Sequence, residues 1–311
     1  MAFTRVHNVR EKVDGVEEIA TLPSSLERIL TLVQDESSTA LDLAAAITTD
    51  QALAMTVLRT VNSSFYSFQR RIQTIHEAVV ILGFCEVERL ALAASVINLF
   101  GKDRQNASFL RVLWRHSMAV SVVAGTFETH CRTVAPRLAG AHVAGLLHDV
   151  GKAVIAQLFP EAVQAILRVM SDTGLPSYEA EREVLDGANH CDVGSWLAER
   201  WNLPPALVDS IAHHHAPDTV SADQLLVHAT HLADWMCTDL NVASVCAPNH
   251  IEEDPAAAQI LGASPALFER VNMELEKHHG PMAAVATAAG YGASDGLKQG
   301  RTDTHASART A

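Results

Sequence analysis

The sequence lacks a long apolar run, and this absence excludes a helix that crosses a membrane. Its longest apolar stretches, such as Ala78 to Phe84, fall far below the roughly 20 residues that a helical span needs. The N-terminal residues MAFTRVHNVREKVDG mix charges and have no apolar segment of the kind that a secretory signal contains. We therefore expect a cytoplasmic protein without a membrane partner.

Paired cysteines are also missing. The five cysteines are an odd number, and no two of them have CxxC spacing. This pattern argues against a disulfide framework and against a zinc knuckle, and it favours reduced, mostly buried thiols.

Basic residues are too few for a broad phosphate-binding surface. The chain has 23 Lys and Arg against 36 Asp and Glu, which gives a formal net charge of -13. Because nucleic-acid binding depends largely on neutralising phosphates, nucleic acid is an unfavoured partner.

A sustained alternation of apolar and polar residues, as in β-strands, does not occur either. From Val16 onward the apolar residues recur instead at intervals of three and four, which indicates helices. The predicted fold class is all-α. The predicted helices cover residues 24–34, 40–48, 51–62, 74–82, 87–100, 109–129, 139–158, 160–172, 178–201, 205–215, 222–240 and 265–279.

Two changes in composition divide the chain. Residues 101–106, GKDRQN, form a polar break between apolar helices. From about Ala284 onward the sequence consists mostly of small and polar residues, which cannot bury enough surface to offset the entropy of ordering. We predict an N-terminal arm at 1–15, an N-terminal helical lobe at 16–105, a second lobe at 106–283 and a disordered tail at 284–311.

What the sequence does have is histidine, with 16 in all. A single histidine on a helix is more often a packing residue than a metal ligand. Here, however, histidines and aspartates occur in order on five of the predicted helices of the second lobe. Imidazole nitrogens and carboxylate oxygens suit divalent Fe, Mn, Ni or Zn, and a helical bundle can direct them into one cavity. The potential ligands in this order are His116, His148, Asp149, His190, His213, His214, His215 and Asp234.

The string GLLHDVGK at residues 145–152 resembles the HD superfamily of metal-dependent phosphohydrolases. The pattern of that superfamily, a His, then His-Asp, then a distant Asp, is matched by His116, His148-Asp149 and Asp234. Segments on both sides resemble the HDOD family, a branch of this superfamily usually assigned to signal transduction. They include Leu22-Pro23, Asn62-Ser63, Leu82-Gly83, Trp201-Asn202-Leu203-Pro204 and His214-His215-Ala216-Pro217.

The resemblance implies an HD-type helical bundle with an N-terminal helical lobe. It also implies one or two divalent ions as cofactors. By similarity to HD-GYP phosphodiesterases, the ligands of a first ion would be His116, His148, Asp149 and Asp234. A second ion, bridged to the first by Asp149, would add His190, His214 and His215. We expect His213 to face away, because three consecutive helical residues cannot all point inward.

Two positions depart from the HD-GYP pattern. Val112 stands where some of those enzymes carry a glutamate ligand, which argues against a third ion. His215 is followed by Ala216-Pro217 in place of a Glu and a Gly-Tyr-Pro loop, so cyclic-dinucleotide hydrolysis is not supported.

Two functions remain open at this point. The first is a regulatory module that acts by binding signalling proteins or a small phosphorylated ligand. The second is a phosphohydrolase that acts on a nucleotide or another phosphoester, with Asp149 at the catalytic metal site and Lys152 contacting a phosphate. A solvated lysine on the helix face, paired with Asp149 or with water, is an equally good interpretation of Lys152. His231 is either a packing residue or a support for the ligands. The sequence does not define the oligomeric state.

Overall fold

The computed structural model describes residues 5–16, 21–33, 35, 37–100, 105–131, 137–221, 224–240, 242, 255–262 and 264–291. Throughout these residues the fold is all-α, without a β-strand, as predicted. None of the described helices is by itself long and apolar enough to cross a bilayer. Two sharply bent helix pairs, 40–48 with 51–61 and 141–158 with 160–173, meet the criteria of length and composition jointly.

The N-terminal lobe consists of short helices joined by tight turns. They are α2 (Ser24–Val33), α3 (Ala40–Thr48), α4 (Gln51–Val61), α5 (Ile75–Leu82) and α6 (Phe84–Phe100). Before them, α1 (Val9–Asp14) lies in the predicted N-terminal arm and packs against helices of the second lobe. Side-chain caps define where three of them start: Thr39, Asp50 and Thr74 accept hydrogen bonds from backbone N–H groups at the first turns of α3, α4 and α5. Such caps satisfy N–H groups that have no partner within the helix.

The second lobe contains α7 (Ala107–His130), α8 (Ala141–Leu147), α9 (Val150–Leu158), α10 (Pro160–Thr173), α11 (Ser177–Val184), α12 (His190–Arg200) and α13 (Pro205–His213). A 3₁₀ helix (Pro217–Thr219) precedes α14 (Leu225–Asp239), α15 (Pro255–Leu261) and α16 (Pro265–Ala288). The long helix α7 lies against α8, α14 and α16 and is buried along most of its length. It is therefore the central element of this lobe.

One continuous apolar core runs through both lobes. It extends from Val9 in α1 to Tyr291 just beyond α16, and its largest fully buried side chains include Phe100, Trp114 and Phe127. The helix α16 packs against α4 and α6 as well as α7 and thus contacts both lobes. The predicted division at residue 105 remains a prediction, because residues 101–104 lie outside the described part.

Two predicted helices are each broken in the structure. The predicted helix 139–158 is divided at His148 and Asp149 into α8 and α9, and the predicted helix 178–201 is divided into α11 and α12. The second break contains Asp186 and Gly187, both with positive φ, which a helix does not allow. Two short helices, α1 and α15, were missed by the periodicity, because each has only two buried side chains.

The predicted start of the disordered tail at residue 284 was wrong. The helix α16 continues to Ala288, with Ala284, Val285 and Ala286 buried. Tyr291 is buried too, and its hydroxyl donates a hydrogen bond of 3.0 Å to the backbone oxygen of Phe100. Small residues remain exposed only where no other surface packs against them. The last turns of α16 have such a surface, so their small side chains are buried. Residues 292–311 lie outside the described part.

Candidate metal centre

The seven candidate ligands come from five places in the second lobe and converge on one buried cluster. His116 lies in the middle of α7, and Asp234 lies on α14. His148 and Asp149 form the junction of α8 and α9. The regular helix is interrupted there, so both side chains can point toward the same cluster. His190 is the first residue of α12, and His214 and His215 follow the end of α13.

Glycines at two helix contacts allow this convergence. A Cβ atom at Gly145 of α8 would lie 2.7 Å from the backbone oxygen of Val120, so α8 and α7 touch backbone to backbone. A Cβ atom at Gly151 of α9 would lie 1.9 Å from the backbone oxygen of His190. The side chains of Asp149 and His190 can meet only because these helices approach so closely.

Asp149 is the common neighbour of three histidines. Its Oδ1 lies 3.2 Å from His190 Nε2 and 3.8 Å from His214 Nε2, and its Oδ2 lies 3.4 Å from His148 Nε2. His116 contacts the other aspartate of the cluster: its Nε2 lies 2.9 Å from Asp234 Oδ1.

Two of the imidazoles are held by backbone carbonyls behind them. His148 Nδ1 lies 2.8 Å from the oxygen of Gly145, and His214 Nδ1 lies 3.0 Å from the oxygen of Ile211. A carbonyl oxygen can only accept, so Nδ1 is the donor in both rings. When these rings are neutral, Nε2 therefore carries a lone pair that faces the cluster.

His190 is oriented by a carboxylate in place of a carbonyl. Its Nδ1 lies 2.6 Å from Glu181 Oε2, and the same oxygen accepts the backbone N–H of His190 at 2.7 Å. Metal-binding histidines commonly have a carboxylate behind them in this way. The Nε2 atoms of His190 and His214 lie 3.4 Å apart, about the separation of two nitrogens bound tetrahedrally at about 2.1 Å to one ion.

The cluster contains several buried polar atoms that lack a hydrogen-bond partner among the described residues. They are His148 Nε2, His215 Nε2 and His116 Nδ1; Asp149 Oδ1 also has no hydrogen bond of good geometry, although it lies 3.2 Å from His190 Nε2. Leaving such atoms unpaired costs roughly 1–3 kcal/mol each. Three groups of side chains have ligand atoms close enough for one ion, namely His116 with His148 and Asp234, His148 with Asp149 and His214, and His190 with Cys191, His214 and His215. The donor set and the orphaned atoms therefore fit a divalent metal.

Electrostatics favour the protonation states that metal binding requires at Asp149, His214 and His215. At His148 the charge of Asp149, and at His190 the neighbouring Cys191 and Glu181, outweigh burial and raise the pKa, so an ion would have to displace a proton there. Burial by itself would raise the pKa of Asp149, but the charges of Lys152 and His148 outweigh it and hold this pKa well below the usual range. Burial lowers the pKa of His214 well below its ordinary value and that of His215 to about 3. The carboxylate is thus anionic, and these two imidazoles are neutral with lone pairs available.

Lys152 is buried and pairs with Asp149, with Nζ 2.8 Å from Oδ2. The sequence left this pairing open beside a phosphate contact. His213 belongs to none of the three groups of described residues. His231 donates from Nδ1 to the backbone oxygen of His214 at 2.7 Å and so supports a candidate ligand.

Sequence reasoning missed three side chains at this centre. Glu181 holds His190, Cys191 places its sulfur 3.9 Å from His214 Nδ1, and the ring of Tyr178 stacks on that of His215 with centroids 5.0 Å apart. Glu181 precedes His190 by nine residues across a helix break, and no helical periodicity relates the two. Cys191 was adjacent to a candidate ligand and was the one detectable signal.

Comparison with known families settles which fold this arrangement belongs to. The family model of the HDOD domain matches residues 19–217, more than half of the chain. The chain belongs to the HDOD family. The match ends before Asp234, so this aspartate joins the centre from a helix beyond the matched part of the HDOD domain.

The HDOD chain is similar to part of two longer curated proteins. An uncharacterized protein of Treponema pallidum is 26% identical over 205 residues, which are 65% of this chain and 38% of that protein. Ribonuclease Y of Thermus thermophilus is 31% identical over 129 residues, which are 42% of this chain and 17% of that enzyme. The HDOD chain thus spans less than half the length of either relative.

A solved structure matches over almost the entire chain. The crystal structure of an HDOD domain protein of unknown function from Geobacter sulfurreducens is 26% identical and has a TM-score of 0.70. The match covers 90% of this chain and 96% of that one. The predicted family and the predicted helical HD-type fold are therefore confirmed.

Proposed function

We propose that this HDOD protein is a regulatory module whose buried centre binds a divalent metal ion, and that the ion stabilises the bundle while the surface binds a partner. The observation that carries this proposal is the burial of the ligands. His148, His190 and His214 are 0% exposed, and Asp149 is 1% exposed. Metal sites that only stabilise a fold are closed by protein ligands, whereas catalytic sites keep a position open for water and substrate.

The residues that would hold the metal are the seven predicted ligands. Two groups of donors adjoin Asp149: His116, His148 and Asp234 form one, and His190, His214 and His215 with Cys191 form the other, and Asp149 contacts histidines of both. This arrangement supports one or two ions, and its nitrogen and oxygen donors favour Fe, Mn, Ni or Zn. A bound ion would supply positive charge where the buried carboxylates and lone pairs converge.

A phosphohydrolase acting on a nucleotide or another phosphoester is the second candidate. It is favoured by the similarity to ribonuclease Y and by His215, which is partly exposed and forms the side of the cluster nearest to solvent. If the protein is a phosphohydrolase, the Asp149 carboxylate would hold the metal ion at the place where the phosphoester is hydrolysed. Lys152 would have to exchange its 2.8 Å contact with Asp149 for a phosphate.

Thermal unfolding with and without a chelator tests the proposal. Wild-type protein supplied in turn with Fe, Mn, Ni and Zn should unfold at least about 5 °C higher with one of them than after chelation and desalting, because ligand binding to the folded state stabilises it. The matched control pair is His214→Ala and His213→Ala, neighbours of which only the first belongs to the cluster. Metal should stabilise His213→Ala as much as wild type and His214→Ala much less.

An assay of the metal-loaded protein separates the two candidates. A panel of nucleotides and a general phosphodiester should show no turnover above that of His214→Ala. Turnover that depends on metal and is lost in His214→Ala would favour the phosphohydrolase. The absence of any stabilisation by metal in the wild type would contradict both candidates.

A further inference from the structure

A cleft separate from the candidate metal centre lies where α6, α7 and α16 meet. Its volume is about 330 Å³, which is in the range of small-molecule sites. None of the seven candidate metal ligands lines it. The cleft joins the N-terminal lobe, through α6, to the second lobe, through α7, and α16 forms its third wall.

Three permanent cations line this cleft: Arg89 from α6, and Arg270 and Lys277 from α16. The chain as a whole carries a formal net charge of -13, so this concentration of positive charge is contrary to the overall balance. Two carboxylates, Glu86 and Glu274, also line the cleft and leave one cation in excess.

The carboxylate of Glu86 is already fully engaged. Its oxygens accept the hydroxyl of Tyr66 at 2.7 Å and Arg89 at 3.3 Å, and His278 Nε2 lies 3.1 Å away. These contacts hold its pKa at about 2, although burial opposes them. Glu86 is therefore a fixed anion that positions Arg89, and the charge of that arginine offsets its own.

Glu274 has a similar role on α16. It lies 3.3 Å from Arg270 and 3.4 Å from Lys277, each one helical turn away. These surface pairs are weak and exchange readily, since exposed ion pairs contribute about 0–1 kcal/mol. Arg270 and Lys277 can therefore turn toward a stronger acceptor in the cleft.

Donors remain unfilled on both guanidinium groups. The Nε atoms of Arg89 and Arg270 are buried and have no hydrogen-bond partner among the described residues. Lys277 is largely exposed and carries three N–H donors. What the cleft lacks is an acceptor, and planar guanidinium groups match the oxygens of phosphate and carboxylate.

We propose that this cleft binds a small ligand through a phosphate or carboxylate group, with Arg89, Arg270 and Lys277 as its binding residues. The volume admits a small molecule and not a folded partner or a polymer. A ligand there would contact α6, α7 and α16 together and so stabilise the contact between the two lobes. The proposal does not depend on the metal centre.

Calorimetric titration of the full-length protein with inorganic phosphate, and separately with succinate, at constant ionic strength tests the site. The two probes distinguish a phosphate ligand from a carboxylate ligand. Arg270→Gln and Lys277→Gln should each weaken binding at least about tenfold, the loss of one charge-assisted hydrogen bond. Both side chains are at least 43% exposed, so these variants keep the fold.

Arg28→Gln is the matched control, because it removes one positive charge from an exposed position on α2, outside the residues that line the cleft. It should bind the probe as the wild type does. Equal affinity in the wild type, Arg270→Gln and Lys277→Gln would overturn the proposal. So would the absence of binding of both probes at concentrations up to about 10 mM, the weak limit for a specific small-molecule site.

Discussion

At the scale of the residue, three histidines of the candidate centre are oriented by the group that contacts Nδ1. Gly145 and Ile211 supply carbonyls to His148 and His214, whereas Glu181 supplies a charged acceptor to His190. A charged acceptor makes an imidazole a stronger donor of its remaining lone pair. His190 should therefore be the histidine most sensitive to its support.

Replacement of Glu181 by Gln tests this dependence. The amide keeps the shape but removes the charge that faces His190 Nδ1, so metal affinity should fall by about 10–100-fold. Competition with a chromophoric chelator measures that affinity. Glu179→Gln is the control, because Glu179 is an exposed residue of the same helix. Equal affinities in both variants would show that Glu181 does not act through His190.

The sequence was sufficient to name the candidate donors that the structure brings together, but not the groups that orient them. His116, His148, Asp149, His190 and Asp234 were recognisable because chemical type and order along the chain suffice for a ligand pattern. Glu181 and the carbonyls of Gly145 and Ile211 were not, because their roles arise from how separate helices meet. A carbonyl in particular is present at every residue and leaves no sequence signal.

At the scale of the element, the site depends on helix ends and close helix contacts. His148 and Asp149 lie between α8 and α9, and the start of α12 touches α9 at Gly151. Periodicity predicted both pairs of helices as continuous, because apolar spacing continues through each break. The breaks are stabilised by tertiary contacts, which periodicity does not report.

Gly151→Ala should therefore destabilise the protein by about 3 kcal/mol or more, since the added Cβ would overlap the backbone of His190. Urea unfolding measures the change. Gly15→Ala is a suitable control, because Gly15 has ordinary helical dihedral angles at the end of α1. If both variants lost the same free energy, the close approach of α9 and α12 would not be essential.

A second contact between elements links the lobes through His142. This residue of α8 lies between two carboxylates, with Nε2 3.0 Å from Glu88 on α6 and Nδ1 3.1 Å from Glu128 on α7. Burial lowers its pKa, but the hydrogen bonds with Glu128 and Glu88 outweigh burial and raise it to about 9. His142 is thus a cation that joins three helices.

This link should give stability a dependence on pH. Because folding raises the pKa of His142, the contribution of this residue to the free energy of unfolding is fully present below its ordinary pKa of 6.5. That contribution is lost as the pH rises through about 9. The wild type should exceed His142→Gln by up to about 3 kcal/mol at pH 6 and by much less at pH 9.5. His76→Gln, at an exposed position of α5, is the control. A difference that is constant across this pH range would contradict the link.

At the scale of the whole molecule, one core and one buried polar cluster coexist in the same bundle. The helical class followed from periodicity, because a continuous apolar core requires apolar spacing on every helix. The role of α16 did not follow, since its last turns are built from small residues whose burial depends on the partner surface. Lys152 offsets part of the charge of this buried cluster, but the lone pairs that remain without a partner would still be costly to this fold. The central claim is therefore that a metal ion completes it.

The most direct measurement is the metal content of the full-length protein, purified without chelator and analysed by mass spectrometry for Fe, Mn, Ni and Zn. Wild type and His213→Ala should carry one to two equivalents per chain, as the two donor groups about Asp149 predict. His148→Ala should lose most of this metal. Wild-type protein that carries less than about 0.1 equivalent, even after growth with added metal and incubation with each ion, would contradict the account.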